Sequence, residues 1–217
     1  IFEPVWNHTY VHSVQITAAE SVGVEDRVGF YDQTGAIRDM IQSHLFQILA
    51  FVAMEAPTVY SPESIRSEKI KVIDAIRIPE EGSLESYGAL GQYGSGSDDA
   101  KGYCELEDVD PSRSTETYAA LAFFVDNWRW TGTPFFLRSG KRLKQKLTEV
   151  VIQFRPPAAN IFRTLPGFQQ GQQLIPNRIV MEIAPRESIR VRFECKEPGL
   201  GFDLDTIEMD SDFKRQF

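Results

Sequence analysis

The chain has 217 residues, 42% of them apolar, and a formal net charge of −8 at pH 7, which allows one large domain with a substantial core and disfavours a general nucleic-acid binder. No apolar run approaches the roughly 18 residues that a membrane span needs, so no membrane partner is expected. Cys104 and Cys195 stand far apart and outside any C-x-x-C pair, the cysteine usage of a cytoplasmic protein with free thiols and no metal site.

Ile1-Phe2-Glu3-Pro4 has neither an initiator Met nor a signal-peptide pattern. With Trp6 near one end and Lys214 to Phe217 at the other, the chain reads as a fragment cut through continuing structure. Val11 to Thr17 alternates Val11, Ser13, Gln15 and Thr17 with His12, Val14 and Ile16, the pattern of a strand. Glu20 then falls near a strand end. Gly29 to Gly35 is a turn-rich lead into the next element.

Ala36 to Met54 carries Ile37, Ile41, Leu45, Ile48 and Val52 at helical steps, and Pro57 predicts a stop near Glu55 or Ala56. His44 lies at the edge of the apolar stripe, partly shielded, where an imidazole can act as a general base near neutral pH. Asp39 precedes it by five residues, about 140° around an α-helix, so the two are not expected on one face. Ser61-Pro62-Glu63 is a strong helix start. Ile65, Ile70, Val72, Ile73 and Ile76 supply the buried side of that helix, and Pro79 ends it.

Glu80 to Ser114, rich in glycine, reads as the least ordered stretch. Gly94-Ser95-Gly96-Ser97 lacks the G-x-x-x-x-G-K-[ST] pattern and reads as a surface loop. Tyr118 to Val125 is apolar and leaves strand and helix open. Phe135–Arg138, Val150–Phe154, Ile179–Ile183, Ile189–Phe193 and Phe202–Ile207 read as strands joined in part by hairpins. The order predicts an α+β fold: a large, mainly antiparallel β-sheet with helices packed on one face. No G-x-G-x-x-G and no βαβ alternation offers a dinucleotide site. Alternating residues such as Val180, Ile183, Val191 and Phe193 are expected to leave the open face apolar enough for self-association. Between two strands, Arg138 to Lys146 sets five cations in nine residues, a turn suited to an anionic or polyhydroxylated ligand.

Phe2-Glu3-Pro4-Val5-Trp6-Asn7, Gly29-Phe30-Tyr31-Asp32, Ile37 to Leu45, Val52 to Glu55, Arg66 to Val72, Gly91-Gln92-Tyr93, Asp126 to Trp130 and Pro134 to Leu143 are collinear and resemble the large C-terminal domain of glucose-6-phosphate dehydrogenases. The resemblance implies a dehydrogenase that passes a hydride from C1 of glucose 6-phosphate to NADP, with the histidine matching His44 as the catalytic base. Glu20, Asp39, Lys141 and Lys146 match the family's substrate contacts. It also implies a homodimer or homotetramer through the sheet, in the cytoplasm.

Departures qualify the match. Ser43 replaces a common Asn, Ala184 stands where some members use Gln, and Leu147 and Val151 stand where mammalian members hold a second, structural NADP. The family's Rossmann domain, phosphate-holding group and histidine-orienting aspartate do not occur here. Residues 1–217 are therefore expected to be a truncated C-terminal domain, with no cofactor-binding residues of its own and no activity alone. The competing expectation is a non-catalytic assembly module of the same fold, which would need none of His44, Asp39, Lys141 and Lys146.

Overall fold

A computed structural model describes residues 2–77, 84–96, 100–157, 175–200 and 204–213. The expectations placed on Pro79, Ser97, Phe202 and the chain's last four residues fall outside them. Eight strands form one sheet: β1 (Val11–Ala19), β2 (Gly88–Gly91), β3 (Tyr118–Phe124), β4 (Pro134–Gly140), β5 (Leu147–Phe154), β6 (Arg178–Ala184), β7 (Ser188–Lys196) and β8 (Leu204–Asp212). Their spatial order is β2-β3-β4-β1-β5-β6-β7-β8. All neighbours pair antiparallel except β1 and β4, which run parallel. The α+β expectation holds, and the open choice at 118–125 resolves to a strand. The parallel pair was not foreseen, because four α-helices, the π-helix and two further strands lie between its two strands in the chain.

The helices are α1 (Val28–Ala36), a π-helix (Ile37–Leu45), α2 (Phe46–Ala53), α3 (Pro62–Asp74) and the single turn α4 (Leu84–Tyr87). Two boundaries correct the sequence reading. The lead-in is helical from Gly29 to Thr34 rather than turn-like, with a kink at the non-helical Gly35, and the long helix ends at Ala53, with Met54 already extended. Ser61 caps α3 as expected, its Oγ accepting from the Ser64 N–H at 3.2 Å. The buried side of α3 is narrower than the sequence implied: Val72 is buried, whereas Ile70 and Ile73 are exposed.

The core lies between these helices and one face of β1, β4 and β5. Val14, Ile16, Phe135, Leu137, Val150 and Ile152 from the sheet meet Ile41, Leu45 and Leu49 from the helices. Alternation on the strands explains this: each second side chain faces the same way. Trp130 is fully buried, donates from Nε1 to the Ala53 carbonyl at 2.9 Å and meets the Phe135 ring edge-on at 5.2 Å. Beside it, Arg129 clamps Glu3 (2.7 Å), Glu55 (2.7 Å) and the Trp6 carbonyl (2.9 Å).

On the other face the ladder is polar. Val180 lies opposite Arg190, and Arg190 pairs with Glu182 at 3.5 Å. Val191 lies opposite Ile179 and packs against the core, while Ile183 borders a groove with Trp6 and Phe51 on the helix side. Val180, Ile183 and Val191 therefore do not form one apolar open face. Strands put neighbours on opposite sides, and the β5–β6 register shifts between Thr148 and Glu149.

The described part of the glycine-rich stretch carries more regular structure than its composition suggested. β2 pairs with β3, and Asp32 on α1 pins the segment between these two strands. Its buried carboxylate accepts from the Tyr103 hydroxyl (2.9 Å) and Arg113 (3.0 Å), and its carbonyl accepts from the Thr115 hydroxyl (2.8 Å). A buried carboxylate persists only when it is paired and hydrogen-bonded in this way.

Candidate active site

Three strands bring their ends to one edge of the sheet. Ala19 pairs with Gly140 in β4 on one side and with Leu147 in β5 on the other. Glu20 follows β1, Lys141 follows β4 and Lys146 precedes β5. The strand order makes the basic segment a strap: it leaves β4, crosses the end of β1 and enters β5. Backbone bonds tie the strap down. The Glu20 N–H donates to the Gly140 carbonyl, Arg142 N–H to Val22 and Leu143 N–H to Glu20, each at 2.9 Å. Arg142 takes a left-handed φ of 52°, which costs a non-glycine residue about 1–2 kcal/mol. Its guanidinium offsets this by donating to the Lys101 carbonyl at 2.8 Å and lying 4.6 Å over the Tyr93 ring.

The cations of the strap are not equivalent. Arg142, Lys144 and Lys146 are exposed, as a solvated turn requires. Lys141 is buried, with 9% of its surface exposed. Its Nζ lies 2.5 Å from Glu20 Oε2 and 5.2 Å over the ring of Tyr31. Tyr31 is itself fully buried. Burial, then the Asp39, Glu116 and Glu20 carboxylates, push its hydroxyl well above the usual phenol range. Those electrostatic influences put Asp39 and Glu20 around one tyrosine, although they come from different elements. Asp39 is largely buried and lies 3.5 Å from the Arg27 guanidinium.

The expected 140° separation of Asp39 and His44 does not hold. Residues 37–45 are wound as a π-helix, whose bonds run from i to i+5. Residues five apart then follow one another along one side instead of diverging. Such turns recur at functional sites. Ile41 and Leu45 keep the buried side, and His44 is exposed rather than partly shielded. Among the described residues its ring has no hydrogen-bond partner. The Ser43 hydroxyl donates back to the Asp39 carbonyl.

The structure thus brings Lys141 against both Glu20 and the Tyr31 ring, with Asp39 acting on the same tyrosine. Among the described residues neither His44 nor Lys146 forms a hydrogen bond or ion pair with that group. Sequence reasoning missed Tyr31 and Glu116. Tyr31 lay in a stretch read as a turn, and its contact with Lys141 is made only by the fold. Glu116 accepts from the Ile37 N–H at 2.9 Å and so caps the π-helix. No group of three or more potential metal ligands occurs among the described residues, and no helix there is long and apolar enough to cross a membrane.

Known proteins share the fold of this chain. The family model described as glucose-6-phosphate dehydrogenase, C-terminal domain, matches residues 1–217. The glucose-6-phosphate 1-dehydrogenase of Aggregatibacter actinomycetemcomitans is 43% identical over 212 residues, covering 96% of this chain and 41% of the relative. That of Treponema pallidum is 43% identical over 219 residues, covering 99% of this chain and 41% of the relative. A solved glucose-6-phosphate dehydrogenase in complex with its substrate glucose-6-phosphate superposes with a TM-score of 0.85 at 34% identity, over 98% of this chain and 42% of that one. The Mycobacterium avium enzyme gives 0.80 at 36% identity, over 97% of this chain and 42% of that one. The chain spans about two-fifths of the length of these relatives. With the whole of its length matched, the eight-stranded sheet shared and the basic strap closing one edge of it, the chain belongs to the glucose-6-phosphate dehydrogenase C-terminal domain family.

Proposed function

We propose that the chain is the substrate-side and oligomerisation domain of an NADP-dependent glucose-6-phosphate 1-dehydrogenase. That enzyme oxidises glucose 6-phosphate to 6-phosphogluconolactone, the first step of the oxidative pentose phosphate pathway, in the cytoplasm. One observation carries the reading: a buried Lys141 paired with the half-buried Glu20 at the sheet edge, with Asp39, on the helix of His44, acting on the same Tyr31.

Each residue type suits its role. Glu20 and Asp39 accept hydrogen bonds from sugar hydroxyls, and Lys141 and Lys146 donate to hydroxyl or phosphate oxygens. The exposed His44 imidazole takes the proton of the C1 hydroxyl, and electron density rises on that oxygen as hydride departs. NADP supplies the hydride acceptor. The sequence holds no G-x-G-x-x-G loop, so its binding falls to residues outside this chain, and the chain alone is incomplete as a catalyst. We assign association as a homodimer or homotetramer to the sheet face without helices. Its charged ladder, including Arg190, Glu182 and the Arg186–Asp210 pair at 2.8 Å, suits a polar contact between copies.

The test is His44→Asn in the full-length protein, because Asn keeps a polar group but cannot take a proton at neutral pH. Loss of a general base lowers kcat by about 10²–10⁴, with KM nearly unchanged because the lost interaction belongs to the transition state. Lys141→Ala instead raises KM for glucose 6-phosphate. A near-normal kcat in His44→Asn overturns the assignment of the base.

A further inference from the structure

We propose that Tyr31 is a positioning residue for the sugar-phosphate site: the face of its buried ring holds the Lys141 ammonium, which Glu20 alone would leave free to swing. The inference rests on the reading of Lys141 as a substrate contact.

A lysine head is a point charge with three donors on a flexible four-carbon stem. One salt bridge fixes its distance to the partner and leaves its direction loose. Here the ammonium has a second restraint. Its Nζ lies 5.2 Å over the Tyr31 ring, inside the roughly 6 Å at which a cation is drawn to the negative face of an aromatic ring. The attraction is strongest where water is excluded, and both side chains are buried. With one direction taken by Glu20 and another by the ring, the remaining N–H is aimed by the protein before any ligand arrives.

The ring can serve as an anchor because it is itself held. Tyr31 meets Tyr103 edge to face, centroids 6.3 Å apart at 72°. Tyr103 donates to the buried Asp32 carboxylate at 2.9 Å, and Arg113 closes on the same carboxylate at 3.0 Å. This series of contacts runs from the glycine-rich stretch to the strap. The Tyr31 hydroxyl contributes little to it, reaching only the Glu116 carbonyl at 3.5 Å. What position 31 needs is therefore an aromatic face, not a phenol.

That distinction gives the test in the full-length protein. Tyr31→Phe keeps the face, and 3,4,5-trifluorophenylalanine at the same position keeps the shape while draining electron density from it. Tyr31→Phe should hold KM for glucose 6-phosphate within about twofold, and the fluorinated ring should raise it about 3–10-fold with kcat nearly constant. In a Lys141→Met background the exchange of Phe for its fluorinated analogue should have no effect on KM. Equal KM values for the two rings, or the same rise in the Lys141→Met background, overturn the inference while the dehydrogenase reading stands. A wild-type protein that does not oxidise glucose 6-phosphate removes both.

Discussion

Replacing Gly35 with alanine probes the entry to the His44 helix. Gly35 has φ 65° and ψ −179°, a region that is essentially open only to glycine and costs other residues about 1–3 kcal/mol. A Cβ there would lie 2.4 Å from Glu116 Oε1 and 2.7 Å from Oε2. The Glu116 carboxylate ends a flexible side chain and can withdraw. Withdrawal breaks its 2.9 Å bond from the Ile37 N–H, and no side chain at Ala36 replaces that cap. Losing the cap adds about 1–2 kcal/mol, so Gly35→Ala should destabilise by about 2–5 kcal/mol in all. Urea unfolding followed by tryptophan fluorescence reads this as a lower midpoint. Glu116→Ala, which loses only the cap, should cost about 1–2 kcal/mol. Because Gly35→Ala already forfeits that bond, the double variant should fall short of the sum by about the value of the cap. A Gly35→Ala loss below about 1 kcal/mol, or strict additivity, refutes the idea that Gly35 and Glu116 jointly set the start of the helix.

Three further outcomes are expected. Arg129's hydrogen bonds hold the Glu55 carboxyl below its ordinary range, so the stabilisation from this pair is present above the unfolded-state value and is lost as pH falls through the depressed one. Glu55→Gln should flatten the acid limb of stability against pH, and an unchanged slope counts against the pair. Ser61→Ala removes the oxygen that accepts from Ser64 N–H at 3.2 Å and should cost about 1 kcal/mol in thermal unfolding; no change would mean that α3 is held by packing alone. The isolated chain, assayed with glucose 6-phosphate and NADP by nicotinamide absorbance, should show no turnover, and a rate in the ordinary enzyme range of about 1–10³ s⁻¹ would contradict its assignment as half of a site.

Local pattern carried the strands well. Alternation at Val14 and Ile16, and the Ser61-Pro62 start, each depend on neighbours in sequence, and both appear as expected. The site was legible in part, through Glu20 at a strand end and the dense cations before Lys146. Its geometry was not. Whether Lys141 is solvated or buried depends on Glu20 and Tyr31, which lie far away in the chain. The π-winding of 37–45 was hidden for a different reason: Ile37, Ile41 and Leu45 fit a three-to-four-residue period whatever the backbone bonds between them. Gly35 looked like a turn residue because glycine signals backbone freedom without saying which element uses it.

The position of β1 has a kinetic consequence. It comes before the other strands of its sheet in the chain, and both of its partners, β4 and β5, are encoded more than a hundred residues later. At about 5–20 residues per second, both edges of this apolar strand stay unpaired for roughly 6–23 s during synthesis. Unpaired edges are templates for the wrong partner, and such distant pairing is slow to form. The nascent polypeptide is therefore most exposed to aggregation before Pro134 leaves the ribosome, and slower translation of the intervening segment would lengthen that interval.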